Sequence, residues 1–378
     1  MFKQIADWLE SRWVNPAYSG WVLIGIICCF FGAAVNTMAG WLYVLSGLGL
    51  ALLAVAAILP VRSLRGITVC RLPIQPVSAG EELALEIEIV NQSPQPKTLL
   101  QIQDLLPFVL GKPITAPIEI IPPQTTYRWI YQHLTQRRGV YRWQNVQLRT
   151  AAPIGLFWCR RNHELPATAI VYPIVLPLTH CPLIDAVGQA DRTQTYAQQR
   201  VQLATEGLTR SLRPYRQGDA LRLIHWRSSA RYGELRVREL EVMTSGQELT
   251  ICLDTAEIWE EDNFEQAVIA AASLYFYAQK QQFHAKIWTS ATGLVQGDRS
   301  VLHTLAATHF GEDKLYTAPQ NPTIWLTQNP QSFNALASQS RWLLWTSAAT
   351  QSEILNRHHN GFIVEKHQAL ETQLQTLK

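Results

Sequence analysis

The apolar positions near the start of the chain form two unbroken runs, 21–38 and 41–59, and neither contains a charged residue. Each approaches the roughly 20 residues that a helix needs to cross a bilayer. Only a few residues around 36–40 separate them, so the predicted element is a tight hairpin of two transmembrane helices over 21–61. Trp21, Trp41 and Tyr43 fall near the ends of the runs, where aromatic belts lie. A signal peptide has a single shorter run and a small-residue cleavage site, and a doubled run does not fit that pattern. Ahead of the hairpin, within 1–20, Phe2, Ile5, Trp8 (or Leu9) and Trp13 share one helical face. That is the pattern of a short amphipathic cytoplasmic helix lying at a membrane surface.

The period changes after the second run. Over 66–172 prolines punctuate short stretches, and Leu83, Leu85, Ile87 and Ile89 alternate with Ala84, Glu86, Glu88 and Val90. Strict alternation predicts a half-buried strand. Asn91 to Pro94 reads as a turn, and 126–134 and 140–148 are further strand candidates. Short strands at regular spacing predict an all-β, immunoglobulin-like sandwich of about 100 residues. A connector over 173–245 follows, polar and Gln-rich at its centre, 189–202. From 246 to 378 the pattern alternates between strand and helix. Leu249 to Leu253 is a strand buried on both faces; Asn263 and Gln266 cap a helix whose inner face is Ala267, Ala271, Leu274 and Ala278. Strands at 284–289, 342–346 and 361–365 and helices at 301–310 and 353–358 complete an α/β domain with right-handed crossovers.

Length and charge sharpen this picture. The 378 residues suit two or three domains. A net charge of +3 is too small to argue a polyanion partner for the whole molecule, so nucleic acid is not an expected ligand. The charge is concentrated, however: Arg210, Arg213, Arg216, Arg222, Arg227, Arg231, Arg236 and Arg238 hold a quarter of the 32 Lys and Arg, with no lysine among them. Lys3 and Arg12 precede the first run, Arg62, Arg65 and Arg71 follow the second, and the turn between carries none. The positive-inside rule therefore places both ends of the hairpin, and the soluble remainder with them, on the cytoplasmic side of the cell membrane. The six cysteines make no C-x-x-C pair, which agrees with a reducing compartment.

The densest stretch runs from Arg213 to Glu241. Its candidate interaction residues are Arg213, Tyr215, Arg216, Gly218, Asp219, Arg222, His225, Trp226, Arg227, Ser229 and Arg231. Arginine is favoured over lysine where a planar fork grips a carboxylate or phosphate or stacks on a ring. Asp219 is the expected N-cap of a helix that carries Leu223, Trp226 and Ala230 on one face, with Trp226 packed inward. A strand over 234–239 follows Gly233. A solvated arginine face paired with Glu234, Glu239 and Glu241 is the bland alternative, and the fixed places of Gly, Trp, His and Ser-Ala among the charges argue against it.

The pattern R-x-Y-x-x-G-D-x-x-R-x-I-H-W-R-x-S-A-R, which begins at Arg213 and is followed by V-R-E-x-E at 237–241, resembles the signature of the domain of unknown function 58 family. R-G-V-Y at 138–141 and A-P-I-G-L-F-W at 152–158 are similar to landmarks of the same family. Ala152 stands where the family usually has Asp, which reads as a weakened turn rather than a lost active site. The C-terminal region resembles a von Willebrand factor A-like (Rossmann-like) domain, whose metal site reads D-x-S-x-S. Here Asp254 is followed by Ala256 and Ile258 in place of the serines, so no metal and no cofactor is expected. What the resemblance implies is a non-enzymatic membrane-anchored scaffold or adaptor that works with a MoxR-type AAA+ ATPase in assembling or maturing protein complexes. Two alternatives stand beside it: a module that binds anionic ligands or nucleic acid through the arginines and aromatics, and a hydrolase with His225 and Asp219 as an acid/base pair. No nucleophile elbow, zincin or phosphate-loop motif is present. Cys159 with His163 reads as structural, since nothing nearby would activate a thiolate, and His358-His359 reads as a surface helix end.

Overall fold

The computed structural model describes residues 8–187, 208–216, 221–241, 248–337, 339–345, 361–366 and 368–376. The chain divides into two units, Met1–Tyr172 and Pro173–Lys378. In the first, a short helix α1 (8–12) leads through strand β1 (Asn15–Pro16) into helices α2 (Tyr18–Thr37) and α3 (Gly40–Ser63). Both helices are long and apolar enough to cross a membrane by length and composition, and each runs a few residues beyond its apolar stretch. Their buried positions combine aliphatic side chains, Ile27, Leu42 and Leu53, with small groups. Ala34, Ser46 and Ala56 are buried, and Gly49 lies against Ile27 so closely that a Cβ would come within 2.7 Å of it. The outward residues, among them Trp21, Phe31, Val44 and Leu48, are exposed apolar groups.

Strands β2 (Ile67–Arg71), β4 (Glu82–Asn91) and β7 (Thr126–Leu134) form one antiparallel sheet. The facing sheet is built from β5 (Lys97–Asp104), β6 (Ile114–Ile121), β8 (Gly139–Thr150) and β9 (Phe157–Tyr172), with β1 and β3 (Val77–Ser78) both paired to β9. The alternation read at 83–90 holds: Leu83, Leu85, Ile87 and Ile89 are fully buried. Ile87, Ile89 and Trp129 meet Leu100, Ile102, Ile118 and Leu148 across the core. Each such side chain contributes roughly 1.5–3 kcal/mol by leaving water. Strand β9 has no counterpart in the sequence reading, because Arg160, Arg161, His163 and Glu164 mask its alternation. The core also holds a charge: Asp104 is fully buried and accepts two hydrogen bonds from Arg71 (2.6 and 3.0 Å), one from Tyr131 Oη (2.6 Å) and one from Trp143 Nε1 (3.1 Å).

The stretch 152–158 acquires a place in this unit. Leu156 O accepts from Ala17 N (2.8 Å), Gly155 O accepts from Ser19 Oγ (3.0 Å), and Phe157 is buried with Ile27, Leu53 and Ala56 of the hairpin. Gly20 permits the approach, since a Cβ there would lie 2.3 Å from Leu156 O. On α1 the inner contact is made by Glu10, which is ion-paired with Arg149, while Trp8 and Trp13 remain exposed.

In the second unit, β12 (Glu248–Leu253), β13 (His284–Thr289), β15 (Thr323–Thr327), β16 (Arg341–Trp345) and β17 (Gly361–Val364) are parallel, with β14 (Gly293–Val295) antiparallel at the edge. The order is β14-β13-β12-β15-β16-β17. Helices α6 (Glu261–Lys280) and α7 (Asp298–Ala307) and the terminal α8 (Leu370–Thr376) cover one face. Ala267, Ala271, Leu274 and Ala278 are fully buried, as the helical period requires. The cap differs from expectation: Glu260 occupies the N-cap position, and Asn263 is buried inside the helix, donating to Glu260 Oε2 (3.2 Å). Strand β15, whose five residues are all buried, has no counterpart among the strands expected from the sequence. The residues read as the start of a polar connector hold Leu178, Cys181, Leu183 and Ile184, all buried in this same core, with a short helix α4 at 182–187. The connector's Gln-rich centre at 189–202 and the helix predicted at 353–358, with His358 and His359, lie outside the described residues.

Candidate functional site

Two places in the second unit bring together chemistry. The first is the arginine-rich stretch. Strand β10 (Leu208–Pro214) pairs antiparallel with β11 (Arg236–Glu241), placing Arg213 opposite Val237. Between them lie a 3-10 turn, Leu221–Leu223, and helix α5 (Trp226–Tyr232). Gly218 and Asp219 lie outside the described residues, as does the side chain of Arg222.

The N-cap of α5 is His225, not Asp219. Its Nδ1 accepts from Ser228 N (3.1 Å), which satisfies one of the helix's orphan amides. Ser229, 7% exposed, ties the helix to the strand: its Oγ donates to His225 O (3.1 Å) and accepts from Arg236 N (2.9 Å). Gly233 ends the helix in the left-handed conformation, φ 71°. Trp226 corrects the expectation of an inward side chain: it is 65% exposed. The first residue of this seven-residue helix stands clear of the buried face, which is held instead by Ile224, Ser229 and Val237. Arg227 and Arg231 are exposed, and no salt bridge to either is found among the described residues. Arg213 and Tyr215 are half-buried, Tyr215 N donating to Leu235 O (2.8 Å), and Arg216 is exposed. Arg236, which was not a candidate, stacks on the Tyr232 ring at 4.1 Å and pairs with Glu234 at 2.8 Å. The structure thus gathers Trp226, Arg227 and Arg231 on a helix locked by His225 and Ser229.

The second place is Asp254, one residue past the end of β12. It is buried, and its Oδ2 accepts from Thr327 Oγ1 (2.9 Å) and Ser332 Oγ (3.0 Å), both beyond the reach of any local motif. Its carbonyl accepts from Trp259 Nε1 (2.6 Å). Burial pushes the Asp254 carboxyl up from its ordinary range, and the two hydroxyls oppose that shift. Ala256 and Ile258 supply no oxygen, and no group of three His, Cys, Asp or Glu able to hold a metal occurs among the described residues. Asp254 lies where β12 and β15 run side by side while β13 flanks the other edge of β12, which is the switch point at which open α/β sheets take ligands.

Residues 211–299 match the model of a family described as "Protein of unknown function DUF58". The match begins in β10, crosses α5 and β11, and runs through β12, α6 and β13 into α7. Over 279 residues the chain is 24% identical to uncharacterized protein YeaD of Bacillus subtilis (strain 168), covering 70% of this chain and 67% of that protein. Among solved structures, the CARDB domain of PF1109 from Pyrococcus furiosus is matched at TM-score 0.19 and 9% identity, over 26% of this chain and 94% of that one. The ASH / PapD-like domain 7 of human CEP192 is matched at TM-score 0.19 and 12% identity, over 28% and 86%.

Proposed function

We propose that this chain is a non-enzymatic adaptor held in the cell membrane by α2 and α3, with its soluble parts in the cytoplasm, and that it presents the α5 surface to an acidic protein partner. The observation that carries this reading is the exposure of Trp226, Arg227 and Arg231 on a helix fixed from behind by Ser229 and His225. An exposed aromatic between arginines is the composition of a binding hot spot. The resemblance to the domain of unknown function 58 family makes a MoxR-type AAA+ ATPase the first partner to test, with assembly or maturation of protein complexes as the process. The uncharged helices with cations only outside them support the anchoring and its direction. The mostly parallel sheet, the helices on its face and the acidic residue at the end of its first strand support a von Willebrand factor A-like reading of the C-terminal part, and the two facing antiparallel sheets support an immunoglobulin-like reading of the sandwich. The His225 ring offers little to a hydrolase, because its Nδ1 is already committed to an amide.

The test uses the full chain in nanodiscs and a purified MoxR-type ATPase. Wild type should capture the ATPase, and the double variant Arg227→Ala/Arg231→Ala should lose most of that capture while melting at the same temperature. A steep fall of binding to oligonucleotides with salt, and no ATPase capture, would favour the anionic-ligand module instead.

A further inference from the structure

A cavity of about 530 Å³ opens over the carboxyl ends of β12, β13 and β15. Its floor is formed by Trp288 and Trp325, stacked with centroids 5.5 Å apart. Asp254 and Glu257 line one wall. Its rim is built rather than loose. Gly311 N donates to Glu257 O (3.2 Å), Glu312 N to Thr255 O (3.0 Å), and Leu315 N and Tyr316 N both to Ser290 O (3.1 Å). Tyr316 packs onto Gly293, φ 70°, where a Cβ would come within 3.0 Å of the ring.

The charge of the cavity selects its occupant. Asp254 Oδ2 is held by Thr327 and Ser332, and Oδ1 accepts no hydrogen bond among the described residues. Glu257 faces Lys314 Nζ at 3.6 Å, and that lysine is mostly exposed. Among the described residues that line the cavity, Asp254 and Glu257 thus share one cation, Lys314, beside two indole rings, which leaves one carboxylate in excess. An anion would meet repulsion there, and a neutral apolar ligand would strip water from Oδ1 and return nothing. An ammonium or guanidinium gains both a charge-assisted hydrogen bond and an aromatic face. We infer that this crevice binds an organic cation carried on an apolar stem, with Asp254 as counter-ion and the Trp288–Trp325 pair as floor. A free amine and a lysine or arginine side chain of a protein share that chemistry. The crevice involves none of the residues of α5, so it stands or falls apart from the adaptor reading.

The experiment is calorimetry on the full chain in nanodiscs at pH 8, with agmatine and n-butylammonium as probes, n-butanol as neutral control and magnesium chloride as the metal control. Both amines should bind saturably at one site, and n-butanol should not. Asp254→Asn keeps an acceptor for Thr327 and Ser332, so it should fold and weaken amine binding about tenfold or more. Lys314→Ala removes the competing cation from an exposed position and should tighten binding, which keeps the inference testable if Asp254→Asn fails to fold. Tighter binding of a lysine-containing peptide than of n-butylammonium identifies a side chain as the natural source, and the reverse identifies a small amine. Equal binding of n-butanol, indifference to both substitutions, no heat with either amine, or magnesium binding in place of amine binding would each overturn the inference.

Discussion

Asp104 and Asp254 are both buried carboxylates, and their surroundings treat them differently. Asp104 is paired with Arg71 and accepts from Tyr131 and Trp143, with the Arg71 guanidinium 5.1 Å from the Trp143 ring centre. Burial, then the Asp104 charge, drives the Tyr131 phenol well above its ordinary range, so it stays a donor at any ordinary pH. Removing one partner of a buried pair strands the other. Asp104→Ala should therefore cost about 3–5 kcal/mol in urea unfolding of the first unit, whereas Tyr131→Phe should cost only about 1–2 kcal/mol. Asp254 has hydroxyls but, among the described residues, no cation within bonding distance, and its pKa is raised by burial. A raised folded pKa means the native state binds more protons than the unfolded state between the ordinary carboxylate value, about 3.9, and the folded one. Stability from this group is fully present below that ordinary value and is lost as pH rises through the folded pKa. Asp254→Asn should remove this slope, so the variant should gain on wild type as pH rises from about 4 toward neutrality in melting scans. At this scale the sequence was legible only in part. A strand-end aspartate is visible at 254, but Thr327 and Ser332 lie 73 and 78 residues on, and no spacing announces them. Arg71 and Asp104 likewise meet across 33 residues.

The elements were easier to read where one face is buried and the other wet. Strand β4 follows its alternation, β7 falls on the limits read from the chain, and the inner face of α6 is the one its alanines mark. The reading failed where a short helix has too few turns for a period to form. For α5 the Leu223, Trp226 and Ala230 face did not survive, because Leu223 belongs to a separate 3-10 turn and the cap is His225. Trp226→Ala should accordingly change stability by less than about 0.5 kcal/mol, while Ser229→Ala, which orphans the buried end of Arg236 N–H, should cost about 1–3 kcal/mol. Melting the two variants side by side separates a displayed residue from a structural one. A Trp226→Ala loss larger than that of Ser229→Ala would contradict the placement of the helix. At the junction of hairpin and sandwich, Gly20→Leu cannot be accommodated against Leu156 O and should lower the melting temperature and open residues 152–158 to proteolysis.

At the scale of the whole molecule, the first unit joins a hairpin of apolar helices to a β-sandwich through Gly20, Leu156 and Phe157, and the second is an α/β unit that carries both candidate sites. The hairpin was legible because two uncharged apolar runs are interrupted only by the few residues around 36–40. The adaptor reading depends on where that hairpin puts the rest of the chain, since a cytoplasmic ATPase meets α5 only if both ends of the hairpin face inward. The most direct test is protease protection of the full chain in spheroplasts and in inverted membrane vesicles. Protease added outside intact spheroplasts should leave the soluble part whole, and the same protease added to inverted vesicles should cut it. Cleavage within residues 80 to 200 in intact spheroplasts, or release of the full chain from membranes by alkaline carbonate, would contradict the account.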